Sequence, residues 1–420
     1  MKSKWGVVTK TKWKVGGIST VVTALAISMM VIPVGSNAAG ASSTKLTGKP
    51  IYVLAIADLT GADANFSREQ LSGLEAGAVY WNTHGGILGR PVKIVYTNDN
   101  SDPATASAQA VSELSEHPGK FTAMMGGGEG NTILAVMPIA KRYDILDSHV
   151  NDGGAGACEN VPLNCPTFFA QANGASAYAS GTAAFAVKKG YKTVGILTEG
   201  ISFTEGEEAA EASYLQAHGV TVDNVTFPPT EVSVNSEMQE LQSDGAQEVI
   251  MNGVGGVAYS TFAARLALSW NVPLVFDIAS SSSANIAAEA PKSELGNAYE
   301  TAWGCESANS TTFPAYKYIY QDQKTAGWPV KTGDSCSQDG IGWDVLVQLH
   351  AAAEKAGSLK TAALVKALTS LTLTAKSNLL LMTSKECWST TSHENLCNTT
   401  SDYPVVPIGN INDLKIQPLS

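Results

Sequence analysis

The sequence predicts an α/β protein made of two doubly wound lobes, and three observations lead there. Its 420 residues exceed what one compact core of usual size holds. Short apolar runs alternate with longer amphipathic ones, the pattern of a parallel sheet flanked by helices. That alternation runs through once and restarts downstream, which gives two successive units. Apolar residues make up 44% of the chain and charged residues 15%. There is thus ample apolar surface to bury and no long stretch of disordered composition.

The first residues stand apart from both units. Lys2, Lys4, Lys10, Lys12 and Lys14 precede an apolar run from Val21 to Val34, and the small residues Ser36, Ala38, Ala39 and Ala41 follow. This is the layout of a secretory signal peptide over residues 1–41. The apolar run is short for a membrane span and contains Pro33. Cleavage after Ala38 or Ala41 would release the rest, and no cysteine lies nearby to carry a lipid. Residues 42–420 keep 22 Lys and Arg against 38 acidic residues, a formal charge of −16. So acidic a surface argues against a nucleic-acid partner.

In the first unit, Ile51 to Ala57 reads as a buried strand. Glu69 to Asn82 reads as a helix, with Leu71, Leu74, Ala78 and Trp81 on one stripe. Val92 to Thr97 is the next strand, and Asp102-Pro103 opens a helix that ends at Glu116. Phe121 to Met125 is a third strand running into the glycine cluster Gly126 to Gly130, and a helix from near Thr132 reaches Tyr143. In the second unit, helices are expected over Ser176 to Lys189, Glu205 to His218, Glu237 to Ser243 and Tyr259 to Trp270. Strands are expected over Thr193 to Leu197, Glu248 to Asn252 and Pro273 to Asp277. A third portion holds helices over Asp339 to Ala356 and Leu359 to Leu368. Short strands at Asn378 to Met382 and Val405 to Leu414 bracket a loop between Cys387 and Cys397.

All six cysteines follow the leader, and an even count in an exported chain predicts disulfides. Nearest-neighbour pairing gives Cys158–Cys165, Cys305–Cys336 and Cys387–Cys397, each loop flanked by turn residues. No CxxC pair occurs and the six histidines are scattered, so neither a metal site nor a cofactor is expected. Hydrolase, P-loop and zinc-protease motifs are absent, and no Ser, His and Asp fall into triad spacing, so no enzyme is predicted. The glycine cluster fails G-x-G-x-x-G because Asn131 takes the sixth place. Two readings of it stay open: a backbone cradle for a ligand oxygen at a helix start, or a tight turn that needs glycine.

Four segments carry a family resemblance: Ile51 to Gly61, Gly73 to Asn82, Gly85-Gly-Ile-Leu-Gly-Arg-Pro91 and Asn98-Asp-Asn-Ser-Asp-Pro103. They resemble the type I periplasmic binding proteins, in the branched-chain amino-acid and amide-binding branch, from about Lys49 to about Leu368. The resemblance implies two doubly wound lobes joined by three hinge crossings, with a ligand cleft between them. By that pattern lobe one holds 48–170 plus 303–375, and lobe two 171–302 plus 376–420. It also implies ligand-binding segments. Lobe one would supply Glu129, Gly130, Asn131 and Thr132, with the loop His149, Val150, Asn151 and Asp152. Lobe two would supply Glu199 to Phe203, the turn Asn252 to Gly256 including Gly253, and Asp277. Glu129 and Gly130 stand where amino-acid binders carry small hydroxylated residues, and Phe203-Thr204 replaces a frequent Tyr-Gly pair.

The expected function is that of an extracytoplasmic solute-binding protein of an ABC-type importer. Its partners would be a small-molecule solute and a membrane permease, and it would act as a monomer. A sensory protein that reports the solute to a signalling partner is the alternative. A helix starting near Thr132, capped by Asn131, would favour a ligand oxygen, whereas Glu129 and Asp277 would favour a positive group. Together they point to an amino-acid-like zwitterion or a small amide.

Overall fold

The computed structural model describes residues 46–61, 64–128, 130–150, 165–172, 175–253, 256–278, 280, 292–303, 305, 312–329, 336–398 and 402–408. All of them lie in one compact unit spanning 43–420. The expected leader falls outside them.

The first lobe is built from β1 (Ile51–Ala57), α1 (Ala64–Thr83), β2 (Val92–Asn98), α2 (Pro103–Glu116), β3 (Phe121–Gly126), α3 (Gly130–Arg142), β4 (Leu146–His149) and β5 (Phe168–Ala170). Its five strands form a parallel sheet in the order β2-β1-β3-β4-β5. The second lobe continues with α4 (Ala175–Lys189), β6 (Thr193–Glu199), α5 (Ser202–Ala217), β7 (Thr221–Phe227), α6 (Asn235–Ser243), β8 (Val249–Asn252), α7 (Gly256–Ala267), β9 (Leu274–Phe276) and β10 (Ala298–Thr301). The chain then adds α8 (Tyr316–Ala326), α9 (Cys336–Ala356), α10 (Thr361–Leu368), β11 (Thr372–Thr374), α11 (Ala375–Asn378), β12 (Lys385–Cys387) and β13 (Val405–Pro407). The second sheet runs β13-β10-β9-β8-β6-β7, parallel except for β13 against β10. No described helix is long and apolar enough to cross a membrane.

The unbroken apolar run of β1 follows from its having both faces covered. Leu54 and Ile56 join Met124, Ala106, Ala110 and Val136 under α2 and α3. Val53 and Ala55 join Leu71, Leu74 and Trp343 under α1 and α9. Asp102 caps α2 by accepting from the Thr105 N–H at 2.7 Å, with Pro103 in the first turn. α1 and α9 approach to backbone contact. A Cβ on Gly342 would lie 1.8 Å from the Gln70 carbonyl oxygen, and one on Gly73 would lie 1.8 Å from that of Asp339.

The chain passes from the first sheet to the second between β5 and β6, returns between β10 and α8, and passes again between β12 and β13. The last passage falls later than expected. Residues 376–398 were placed with lobe two, yet the Leu381 and Met382 N–H groups donate to the Asp344 carboxylate on α9 at 2.8 and 3.0 Å. The Ala170 N–H of β5 likewise donates to the His393 carbonyl at 2.9 Å. Asn378 to Met382 is no strand, because Leu379 sits at φ +66 and the next two N–H groups bond to Asp344 instead of a ladder. Strands β4, β5, β7 and β10 were not foreseen. β4 reads Leu-Asp-Ser-His and β10 Ala-Tyr-Glu-Thr, polar sequences that are nonetheless almost wholly buried, and β7 is a half-exposed edge.

Candidate functional site

In open parallel sheets ligands meet the carboxyl ends of the strands. At that end of the first lobe, β1 delivers Asp58 and β3 delivers Gly127-Gly128. The Asp58 N–H donates to Ser67 Oγ at 2.8 Å, and Asp58 Oδ1 accepts from the Ser101 N–H at 3.2 Å. Gly127, at φ +92, donates its N–H to the Ile56 carbonyl, and the Gly128 N–H donates to Thr132 Oγ1 at 3.0 Å. A Cβ on Gly128 would lie 2.1 Å from Asp58 Oδ2 and 2.6 Å from Ser67 Oγ. Both glycine N–H groups are thus spent inside the turn, and glycine is there because Asp58 and Ser67 press against it. Gly126 to Gly128 form a tight turn, and Gly130 opens α3.

That turn closes early, so α3 starts at Gly130 and Asn131 lies inside the helix instead of capping it from outside. Gly130 and Thr132 are buried and Asn131 is half-buried. Gln70 of α1 links the turn to β4: its Nε2 donates to the Gly128 carbonyl at 3.2 Å, and its Oε1 lies 3.2 Å from His149 Nε2. Burial pushes the His149 pKa down to about 3, so the ring is neutral and Nε2–H is the donor. Glu129, Asn151, Asp152 and Cys158 lie outside the described residues.

The second lobe gathers acids at the corresponding ends of β6, β8 and β9. Gly253 follows β8 and leans on Glu199 of β6, since a Cβ there would lie 3.4 Å from Glu199 Oε2. Asp277 follows β9. Its Oδ1 accepts from the Ser280 N–H at 2.7 Å and from the Ser280 hydroxyl, and its carboxyl group also bonds the Gly253 N–H and Glu207. The Asp277 and Glu207 side chains thus stand beside each other. Burial pushes the Asp277 pKa up to about 6. One helical turn on, Glu211 accepts from the Thr182 hydroxyl and from Asn252 Nδ2 at 2.7 Å, and burial pushes its pKa up to about 8. Glu199, Gly253 and Asp277 are therefore brought together as expected, with Glu207 and Glu211 added. Both fall in the helix expected over Glu205 to His218, and neither was expected at a site.

Phe203 sits elsewhere. Its ring lies 5.8 Å from Tyr178, which in turn packs 5.4 Å from Trp303 and 4.9 Å from Tyr403. Tyr178, Trp303 and Tyr403 stand where the chain passes between sheets, and no periodic pattern in the sequence marks them. Phe203 and Ile278 join the first lobe's core cluster, and α3 touches α5, so the strand ends of the two lobes face each other. Cys387 and Cys397 are bonded to each other, and Cys165 and Cys305 are each disulfide-bonded. Among the described residues no cluster of His, Cys, Asp and Glu is placed to hold a metal ion.

The model of the periplasmic binding protein family matches residues 50–394, through the first two passages and into the third. The chain belongs to this family. Its solved relatives are type I periplasmic binding proteins. A solute-binding protein of an ABC transporter from R. palustris, solved with 4-hydroxybenzoate, is 17% identical with a TM-score of 0.69, covering 84% of this chain and 95% of that one. A possible leucine/isoleucine/valine-binding protein from Rhodopirellula baltica is 12% identical with a TM-score of 0.72, covering 89% and 100%. A type 1 periplasmic binding protein from Bordetella pertussis is 17% identical with a TM-score of 0.71, covering 85% and 95%. No curated protein matches the sequence. At such identities these likenesses establish the fold of a periplasmic binding protein.

Proposed function

We propose that this periplasmic binding protein is the extracytoplasmic component of an ABC-type importer, and that it closes its lobes on an amino-acid-like zwitterion or a small amide. The observation that carries the solute class is the acid cluster of the second lobe. Glu199, Glu207, Glu211 and Asp277 line adjacent strand ends and helix α5, and three of these four are at most 1% exposed. A ligand with an ammonium or amide N–H relieves such a cluster, whereas a second anion would deepen its desolvation penalty. The first lobe contributes neutral groups, Gln70, Ser67 and uncharged His149, suited to a ligand oxygen. Phe203 packs against Tyr178, and Tyr178 against Trp303 and Tyr403, so these rings serve the protein's own packing. Capture, closure and docking on a permease need no bond-making step.

Thermal-shift measurements against amino acids, amides, sugars, dicarboxylates and 4-hydroxybenzoate test this reading. A solute at one hundred times its Kd adds about 2.7 kcal/mol, so amino acids or amides are expected to raise Tm by several degrees. A response confined to a dicarboxylate, a neutral sugar or 4-hydroxybenzoate would overturn the solute class.

A further inference from the structure

The loop closed by Cys387–Cys397 was read only as a disulfide framework, yet it lies against the passages that join the lobes. Its centre is Asn395, fully buried. Asn395 Oδ1 accepts from both half-cystine N–H groups, Cys387 and Cys397, each at 3.1 Å. That fixes the orientation of the amide, because an NH2 group could not accept either bond. Its Nδ2 then donates to the Gln171 carbonyl at 2.8 Å and to Asn398 Oδ1 at 2.7 Å, with the Lys385 carbonyl at 3.0 Å. Gln171 follows β5 directly, where the chain first leaves lobe one. Asn398 passes the contact on, its own amide donating to the Tyr403 hydroxyl. Tyr403 stands where the chain last enters lobe two, beside the Pro404 carbonyl that accepts from the Ala302 N–H at 2.8 Å.

The same loop holds the first passage at further points. Trp388 Nε1 donates to the Ala170 carbonyl at 2.7 Å, and the Ala170 N–H donates to the His393 carbonyl at 2.9 Å. His393 Nδ1 lies 2.9 Å from the Phe168 carbonyl, and burial lowers its pKa to about 4, so the neutral ring donates there. The loop is thus anchored on lobe one, and Asn395 reaches from that anchor to the first passage directly and to Tyr403 through Asn398. We propose that Asn395 is the positioning residue of the lobe hinge: its amide, locked by the disulfide loop, couples those passages and sets the balance between open and closed forms. The proposal rests on the lobe closure proposed above, and it leaves the identity of the solute aside.

Hydrogen exchange on the solute-free protein, read with interlobe distances from paired fluorophores, tests it. In Asn395→Asp the carboxylate still accepts from Cys387 and Cys397, but the donor to Gln171 and Asn398 is gone. The expected result is at least tenfold faster exchange over 168–172 and 402–405 with a broader interlobe distance distribution. Protection at Cys387 and Cys397 and in β1 and β6 should persist. Asn398→Ala, which removes the acceptor for Asn395 and the donor to Tyr403 but keeps the Asn395–Gln171 bond, should speed exchange over 402–405 and leave 168–172 protected. Acceleration of Asn395→Asp confined to 385–398, protection lost in β1 and β6 as well, or an unchanged distance distribution would each make Asn395 a staple of its own loop and overturn the proposal. No solute is present, so a failure here leaves the solute reading standing, and an empty thermal-shift panel leaves this one standing.

Discussion

The two lobes present the same kind of edge, the carboxyl ends of parallel strands, and fill it with opposite chemistry. In lobe one a glycine turn is pressed shut by Asp58 and Ser67, and its neighbours Gln70 and His149 are neutral. In lobe two the turn residue Gly253 meets only the flexible end of Met251 and the Glu199 carboxylate, with Asp277, Glu207 and Glu211 close by. A turn whose N–H groups are spent on Ile56 and Thr132 contributes shape, whereas one beside a cluster of acids contributes selectivity for charge. The acid cluster also couples that lobe to pH, because burial holds protons on groups that release them when the chain unfolds.

The largest expected effect comes from that proton. Glu211, with a folded pKa near 8 against an ordinary 4.5, keeps its proton between those values while the unfolded chain loses it. Its contribution is complete below pH 4.5 and disappears as pH rises through 8, so stability should fall with pH by about 1.4 kcal/mol per unit per group in that window. Glu248, also raised to about 8 by burial and by Glu211, adds to the slope. Glu211→Gln should flatten the urea-unfolding profile from pH 5 to 8 by 1 kcal/mol per unit or more, to an order of magnitude. An unaltered slope would mean that Glu211 is ionised in the folded protein.

The glycines give the next contrast. Gly128→Ala forces a Cβ into Asp58 and Ser67 and should cost about 2–3 kcal/mol. Gly253→Ala has only the Met251 methyl group to displace at 2.7 Å and should cost less than about 1 kcal/mol. Equal losses in chemical denaturation would mean that the two turns are built alike.

What the sequence made legible follows the same division. Continuous apolar runs such as β1 and the capped start of α2 were read to within a residue, because burial on both faces and a side-chain cap are local signals. Strands β4 and β10 escaped because their buried polar residues are satisfied by distant partners: Ser148 donates to Gln348, two hundred residues away, at 2.7 Å. Glu199, Gly253 and Asp277 could be assigned as strand-end residues, but not the use of Glu207, because which face of α5 turns inward depends on β9. The early start of α3 was hidden for a similar reason, since it depends on Thr132 taking the Gly128 N–H.

The smallest effect expected separates a charge from a hydrogen-bonding frame at Asp277. Its carboxyl group holds the Ser280 N–H and hydroxyl and the Gly253 N–H, beside Glu207. An asparagine there retains an oxygen for Ser280 and turns an N–H toward Glu207. Asp277→Asn should therefore change stability at pH 7 by less than about 1 kcal/mol. Asp277→Ala, which leaves the Gly253 and Ser280 donors buried without an acceptor, should cost about 2–3 kcal/mol. The pH profile sharpens the contrast. Wild-type stability contains a contribution from Asp277 that is present below its ordinary 3.8 and lost through about 6, and the asparagine variant should lack that fall between pH 4 and 6. If instead Asp277→Asn destabilised the protein as much as Asp277→Ala at pH 7, Asp277 would have to be ionised beside Glu207, and the charge at this strand end would be held by a positive partner.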